Sequence, residues 1–208
     1  MKIKLLFQGD SITDCFRGRE DTQYLGLGYP KYAVALLKEK YPNVEFEFVN
    51  RGISGNQTMH LVSRLQEDVL DVNPDVVSLL IGINDVWHHA EDKSWIDNDV
   101  FEARYRTILD ALKKTNAKIM LMEPFLIPVP DKLFFREDLA PKIEIIRKLA
   151  REYADAYLPT DGLLASAFIG EEPTSFSSDG VHPTDKGAEY IGKLYVEYIS
   201  PIIDNMIK

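Results

Sequence analysis

The chain has 208 residues, of which 45% are hydrophobic and 27% charged, and this size and balance predict one globular domain over residues 1–208. Its net charge of −9 at pH 7 makes nucleic acid and anionic membrane surfaces poor partners. One cysteine, Cys15, leaves no internal disulfide. No stretch approaches the roughly 20 apolar residues of a membrane span, and the N-terminus has no signal-peptide core, so we expect a cytoplasmic protein.

Apolar segments of strand length alternate with segments of helical periodicity along the chain. The predicted strands are residues 3–8, 45–49, 76–81, 118–123 and 156–159, and the predicted helices are 29–41, 57–71, 98–115, 138–153 and 185–207, with a Pro-rich loop at 124–137. Strands that are apolar on both faces and separated by helices are typical of a parallel sheet covered on both sides. The sequence therefore predicts an α/β fold with a five-stranded parallel sheet. In such sheets the functional site lies beyond the carboxyl ends of the strands.

The first polar cluster is Gly9-Asp10-Ser11, directly after the first predicted strand. Gly9 permits a tight turn, and Ser11 would open the next segment with its backbone N–H free to donate. A serine becomes a nucleophile only with a base to take its proton and donors to stabilise an oxyanion. Taken alone, the cluster is explained at least as well by a serine that caps a helical turn.

Two further clusters follow the next two predicted strands. The segment 50–56 contains Gly52, whose N–H could donate to a ligand close to the backbone, and Gly82-Ile83-Asn84-Asp85 places the Asn84 amide at a strand end. Either cluster alone is also typical of an ordinary Gly/Asn or Asx turn. Trp87 follows, where it could form the wall of a pocket or belong to the core.

The fourth cluster precedes the last predicted helix. Asp179 and His182 are three residues apart, on a turn that ends at Pro183. This spacing lets the carboxylate accept from the Nδ1–H of the histidine while Nε2 faces outward, which fixes the tautomer and stabilises the imidazolium that forms when Ser11 loses its proton. An aspartate that caps a turn beside a surface histidine is the alternative.

The four clusters complement one another chemically. Ser11 would be the nucleophile, His182 the base and Asp179 its orienting carboxylate. The N–H groups of Ser11 and Gly52 and the amide of Asn84 would be the oxyanion donors. The chain order serine, aspartate, histidine also occurs in other α/β enzymes with this triad. The sequence therefore predicts a serine esterase organised around Ser11.

These clusters resemble the four sequence blocks of the SGNH hydrolases, also called GDSL-type esterases. The resemblance spans most of the chain and rests on Gly9-Asp10-Ser11-Ile12-Thr13, on Gly52 within Asn-Arg-Gly-Ile-Ser-Gly-Asn, on Gly82-Ile83-Asn84-Asp85 and on Asp179-Gly-Val-His182-Pro. It implies a flavodoxin-like three-layer α/β/α sandwich with the same triad and oxyanion donors. The segment Gly-Ile-Asn-Asp-Val-Trp, with Gly-Ile-Ser-Gly-Asn before it, most resembles the corresponding segments of the intracellular acetylxylan esterases. These enzymes remove acetyl groups from xylan fragments.

The resemblance also sets expectations for the ligand. The substrate would be a small-molecule or oligosaccharide ester, with Asp10 and Trp87 as candidate contacts and with no cofactor and no metal. The aromatic loop 124–137 would shape the substrate site or form the interface of a homo-oligomer. Two alternatives remain open. A lysophospholipase or thioesterase could use the same triad, and a non-catalytic flavodoxin-like domain could bind a small ligand, although no Gly-rich phosphate fingerprint is present.

Overall fold

A five-stranded parallel sheet lies at the centre of the protein, which is described here over residues 1–208 by a computed structural model. The strands are β1 (Lys2–Gly9), β2 (Glu45–Asn50), β3 (Val76–Leu80), β4 (Lys118–Met122) and β5 (Ala156–Leu158). Their order across the sheet is β2-β1-β3-β4-β5, and every neighbouring pair is parallel. This order is that of flavodoxin-like sheets, so the predicted fold class is confirmed.

Eight α-helices connect and cover the strands. They are α1 (Ser11–Asp14), α2 (Tyr29–Lys40), α3 (Thr58–Ser63), α4 (Ile83–Trp87), α5 (Asn98–Lys113), α6 (Arg136–Tyr153), α7 (Thr160–Ala167) and α8 (Asp185–Met206). Shorter helical turns are the π-helical segment Gln66–Leu70 and the 3-10 segments Pro130–Phe135 and Pro173–Ser175. No helix is both long and apolar enough to cross a membrane.

One predicted helix differs in detail and one helix was not predicted. The helix predicted over 57–71 is divided at Arg64 into α3 and the π-helical segment Gln66–Leu70, and the Arg64 side chain reaches the loops that follow β1 and β2. Its guanidinium donates to Oδ1 of Asn56 at 2.9 Å, to the carbonyl of Arg51 at 2.9 Å and to the carbonyl of Gly9 at 3.3 Å. Helix α7 was not predicted, since its Gly162 and Ser166 weaken the helical pattern.

The side chains of each strand alternate between two cores. In β1, Leu5 and Phe7 belong to the core under α2 and α8, whereas Leu6 belongs to the core under α3 and α5. All three side chains are fully buried, and each contributes about 1.5–3 kcal/mol relative to an exposed position. Burial on both faces explains why the strands are continuous apolar runs in the sequence.

The strand order determines where a site can form. The chain leaves β1 toward α2 on one face of the sheet and leaves the adjacent β3 toward α5 on the other. Neighbouring connections that diverge in this way open a crevice at the carboxyl ends of the strands. Residues 10–14 and 82–87 lie at this crevice.

Candidate active site

Ser11 is the first residue of α1, immediately beyond the carboxyl end of β1. Oδ1 of Asp10 accepts from the N–H of Ile12 at 3.0 Å and caps the helix. The N–H of Ser11 has no partner within α1, because the first N–H groups of a helix have no preceding carbonyl to bond. The turn thus presents both the hydroxyl and the N–H of Ser11 at the crevice.

The side chains of Ser11, His182 and Asp179 form a hydrogen-bonded chain. Oγ of Ser11 lies 2.9 Å from Nε2 of His182, and Nδ1 of His182 lies 2.7 Å from Oδ2 of Asp179. An ionised carboxylate only accepts hydrogen bonds, so Nδ1 donates to Asp179 and Nε2 accepts from the serine hydroxyl. This is the geometry needed for an imidazole to take the proton of a serine.

The carboxylate of Asp179 is held in its ionised form. Oδ1 accepts from Oγ of Ser177 at 3.0 Å and from the N–H groups of Val181 and His182 at 2.9 and 2.8 Å. Burial would raise the pKa of Asp179, but the hydrogen bonds from the His182 ring and from the two backbone N–H groups outweigh it and lower that pKa to about 2. The carboxylate that accepts from His182 therefore stays charged at neutral and mildly acidic pH.

The turn that carries Asp179 and His182 is fixed to the loop after β4. Gly180, between them, has a φ of +85°, and an added Cβ would lie 2.7 Å from Cγ2 of Val129 and 2.8 Å from the carbonyl of Ile127. The N–H of Ile127 donates to the carbonyl of Gly180 at 2.8 Å. The predicted loop 124–137 thus supports the turn that carries His182.

Asn84 lies at the start of α4 and is 4% exposed. Its Nδ2 donates to the carbonyl of Asn56 at 3.1 Å, and its own carbonyl accepts from Nε2 of Gln57 at 3.1 Å. An amide Nδ2 carries two hydrogens, so the bond to Asn56 fixes the side chain and leaves a second donor. The loop after β2 and the loop after β3 are therefore joined at the crevice.

The structure corrects the prediction that Gly52 is an oxyanion donor. Its N–H already donates to Oδ1 of Asn50 at 2.9 Å, and an added Cβ would clash with the backbone of Asp14. Gly52 is thus a packing glycine. Three residues on, Gly55 has a φ of +78°, its N–H has no acceptor, and an added Cβ would lie no closer than 3.9 Å to a neighbour, at Cε1 of His88. Sequence alone did not distinguish two glycines of one loop.

The two candidate substrate contacts have different positions. Trp87 is half-buried, and its ring centroid lies 5.6 Å from that of His182 and 6.0 Å from that of Phe135. Nζ of Lys132 lies 5.3 Å from the centroid of the Trp87 ring. Trp87 therefore forms a wall beside the histidine. Asp10 is fully buried, so the prediction that it contacts substrate is wrong, because its side chain faces the protein interior and caps α1.

Asp85 was not among the predicted site residues. It is fully buried, and its Oδ2 accepts from the N–H of Thr58 at 2.9 Å while its Oδ1 accepts from Oγ1 of Thr58 at 2.6 Å. These bonds fasten the start of α3 to the residue that follows Asn84. An aspartate beside a polar strand-end residue is common in turns, so only the fold shows what this one binds.

Comparison with known proteins gives consistent matches over nearly the whole chain. The profile of the GDSL-like lipase/acylhydrolase family matches residues 7–190. The acetylxylan esterase of Geobacillus stearothermophilus is 33% identical over 204 residues, which cover 94% of this chain and 93% of that protein. A multidomain esterase of Ruminococcus flavefaciens is 29% identical over 240 residues, which cover 95% of this chain but 28% of that longer protein.

Solved structures give the same result. The crystal structure of the Geobacillus stearothermophilus esterase matches with a TM-score of 0.86 at 33% identity and covers 94% of this chain and 93% of that chain. A putative GDSL-like lipase from Parabacteroides merdae matches with a TM-score of 0.85 at 32% identity, over 94% of each chain. Three solved variants of the Geobacillus esterase, described as catalytic mutants, replace a serine, a histidine and an aspartate with alanine.

Proposed function

Since the chain belongs to the GDSL-like lipase/acylhydrolase family and is a carboxylic ester hydrolase, we propose that it removes acetyl groups from xylo-oligosaccharides or similar carbohydrates. The observation that carries this proposal is the hydrogen-bonded chain from Ser11 through His182 to Asp179. In the related acetylxylan esterase, a serine, a histidine and an aspartate are the sites of catalytic mutants, and there too the aspartate and the histidine are three residues apart.

The acylation step uses the hydrogen-bonded chain directly. Oγ of Ser11 attacks the ester carbonyl carbon while Nε2 of His182 takes its proton. Asp179, which stays ionised because its pKa is lowered to about 2, stabilises the imidazolium that results. The carbonyl oxygen becomes an oxyanion, the bond to the alcohol then breaks, and His182 returns its proton to the leaving sugar hydroxyl. An acetyl-serine remains.

Three donors would stabilise the oxyanion. They are the N–H of Ser11, the second Nδ2 hydrogen of Asn84 and the N–H of Gly55 in place of that of Gly52. The N–H of Gly55 is supported because it has no acceptor and lies one residue before Asn56, whose carbonyl holds the Asn84 side chain at 3.1 Å. Donors fixed in advance stabilise developing charge without reorganisation, and one such donor contributes a factor of about 10²–10³ in kcat.

Deacylation repeats the same chemistry with water. His182 takes a proton from a water molecule, whose oxygen attacks the acetyl-serine, and the second oxyanion uses the same donors. Collapse of this intermediate returns the proton to Oγ of Ser11 and releases acetate. Every step uses residues of this chain.

The surroundings of the site can accommodate a large alcohol such as a sugar. The side chain of His182 is 47% exposed, so the reacting ester can belong to a molecule that extends over the surface. The half-buried ring of Trp87, 5.6 Å from the His182 ring, offers an apolar face against which a sugar ring can pack.

The test compares nitrophenyl acetate, butyrate and octanoate with acetylated xylo-oligosaccharides, using the wild type, Ser11→Ala and the control Ser63→Ala. Ser63 is an exposed serine of α3, so its variant keeps wild-type activity. We expect serine-dependent release of acetate from the oligosaccharides and a preference for the acetate ester. Rates that rise with chain length would favour a lipid or thioester substrate, and activity retained in Ser11→Ala would overturn the mechanism.

A further inference from the structure

A partly buried cation of α5, Arg104, lies next to Asp85, the residue that follows Asn84. Nη1 of Arg104 lies 3.8 Å from Oδ1 of Asp85, and Asp85 is fully buried. Arg104 belongs to none of the four sequence blocks and lies more than 15 residues beyond the nearest of them. Nη1 of Arg104 is itself buried and makes no hydrogen bond. The carboxylate within 4 Å of the Arg104 guanidinium is thus that of Asp85, and the Arg104 side chain as a whole is 26% exposed.

The other charged and titratable groups around Asp85 come from three elements. Asp10 follows β1, and its ionised form would repel a second carboxylate. Tyr105 lies on α5, and its hydroxyl donates to the carbonyl of Ile81 at 3.0 Å. Lys142 lies on α6, where its Nζ donates to Oδ1 of Asp138 at 2.5 Å and to the carbonyl of Ile96 at 3.0 Å. Lys142 thus acts on Asp85 only through its charge and has hydrogen-bond partners of its own, whereas Arg104 lies within 4 Å of the Asp85 carboxylate.

The ionised carboxylate of Asp85 holds Thr58 by hydrogen bonds that the neutral carboxyl group could not accept as well. Burial raises the pKa of Asp85, and the bonds from Thr58 and the charges of Arg104 and Lys142 oppose that rise. The carboxylate accepts from both the N–H and the hydroxyl of Thr58. A proton on either oxygen would remove one of these acceptors and leave a buried donor or acceptor unpaired.

The bonds to Thr58 fix the loop that provides the donors. Gln57, next to Thr58, donates to the carbonyl of Asn84, and Nδ2 of Asn84 donates to the carbonyl of Asn56. The segment 55–58 is therefore held to Asn84 and Asp85 at several points, and its position sets the distance between the N–H of Gly55 and the amide of Asn84.

We propose that Arg104 is a positioning residue, whose charge acts through Asp85 and Thr58 to hold Gly55 and Asn84 in the geometry that binds the oxyanion. This inference rests on the proposed function, because it needs an oxyanion to be bound there. Arg104 itself does not touch the substrate, so its effect falls on kcat and not on KM.

The experiment measures kcat and KM for nitrophenyl acetate from pH 5.5 to 9 in Arg104→Met, Arg104→Lys and the control Arg106→Met. Arg106 lies on the same helix and pairs with Glu102 and Glu152 at the surface. We expect Arg104→Met to lower kcat by about tenfold at neutral pH, since misplacement of a catalytic group by about 1 Å can cost up to ~10²-fold. The loss should grow as the pH falls, because Asp85 without its cation takes up a proton more readily. Arg104→Lys should restore most of the rate.

Two results would overturn the inference. One is an Arg104→Met variant with the kcat and pH profile of the wild type. The other is an equal loss at every pH that Arg104→Lys does not repair, which would indicate packing alone. A wild type without serine-dependent hydrolysis would overturn the proposed function and this inference together, so the two failures are distinguishable.

A second pair of variants keeps the test decisive if Arg104→Met does not fold, because removal of one partner leaves a buried charge unpaired. Asp85→Asn removes that charge and keeps one oxygen to accept from Thr58. In the Asp85→Asn background, adding Arg104→Met should change kcat by less than about twofold, since the cation then has nothing to act on. A further tenfold fall would show that Arg104 acts by another route and would refute the inference.

Discussion

Asp10 is a buried carboxylate whose ionisation should be visible in the stability of the whole protein. It is fully buried, its Oδ1 caps α1 through the N–H of Ile12, and its Oδ2 has no hydrogen-bond partner. Burial and the neighbouring carboxylate of Asp85 raise the pKa of Asp10 from 3.8 to about 7, against the bond from Ile12. The substitution Asp10→Asn removes the titration and keeps an oxygen that can cap the helix.

The sign follows from proton binding. Between pH 4 and 7 the folded protein holds a proton on Asp10 that the unfolded chain has lost, so the free energy of unfolding falls as the pH rises. This contribution is fully present below the unfolded pKa and is lost as the pH rises through the folded one. Between pH 5 and the folded pKa of about 7, the folded state holds this extra proton over about two pH units. The free energy of unfolding therefore falls by about 3 kcal/mol from pH 5 to pH 8, at 1.36 kcal/mol per unit. The free energy of unfolding of Asp10→Asn should not show this fall.

Urea unfolding at pH 5, 6, 7 and 8 measures this difference. The free energy of unfolding of Asp10→Asn minus that of the wild type should increase by about 3 kcal/mol from pH 5 to pH 8. The control is Asp99→Asn, which changes an exposed residue in the first turn of α5 and leaves Asp10 in place, so its free energy of unfolding should still show the fall that Asp10 causes. If the difference between Asp10→Asn and the wild type does not change from pH 5 to pH 8, Asp10 is ionised throughout and the reasoning from its burial fails.

Four further substitutions test the site. Asn84→Ala should lower nitrophenyl acetate kcat by about 10²–10³-fold with little change in KM. Asp179→Asn should lower kcat by about 10⁴-fold, because the imidazole loses its orienting acceptor. In the wild type, the pKa of Asp179 is about 2, so its titration should not lower the activity above pH 4. Gly52→Ala should lower the Tm by several degrees in a thermal scan, because its Cβ would clash with the backbone of Asp14. Trp87→Ala should raise KM more for acetylated xylo-oligosaccharides than for nitrophenyl acetate.

Each of these has an outcome that contradicts it. An Asn84→Ala variant within threefold of the wild type would exclude its amide from the oxyanion site. Retention of kcat in Asp179→Asn would show that the histidine does not need a charged carboxylate beside it. A Gly52→Ala variant with unchanged Tm would show that the loop adjusts to the added methyl group without loss of stability. Equal effects of Trp87→Ala on both substrates would place the ring against the acyl group instead of the sugar.

The strands and the hydrogen-bonded arrangement of Ser11, His182 and Asp179 could be predicted because their causes are local in the sequence. Continuous apolar runs identify buried parallel strands, and the carboxyl ends of such strands meet at one edge, which placed Ser11 and Asn84 together. The spacing of Asp179 and His182 was sufficient to predict their hydrogen bond, which the structure contains at 2.7 Å.

The remaining features depend on contacts between distant segments. Gly52 packs against the backbone of Asp14, which is distant in the sequence, while its N–H is taken by the nearby side chain of Asn50. The burial of Asp10 is decided by the sheet and the helices around it. The contact of Arg104 with Asp85 joins two positions that are 19 residues apart and share no pattern. Residue type and periodicity carry no information about such pairings.

The loop after β4 is held near both of its ends by hydrogen bonds to other segments. Ile127 is bonded to Gly180, and Arg136 donates to the carbonyl of Leu126 at 2.5 Å and to Asp161 at 2.7 Å. The intervening segment Pro130–Phe135 carries the lysine and the phenylalanine that pack on Trp87. Substitutions at Lys132 or Phe135 can therefore change the surface around Trp87 while the hydrogen bond between Ile127 and Gly180, which holds the turn of His182, is kept. Within one fold, specificity can thus diverge without a loss of catalytic competence.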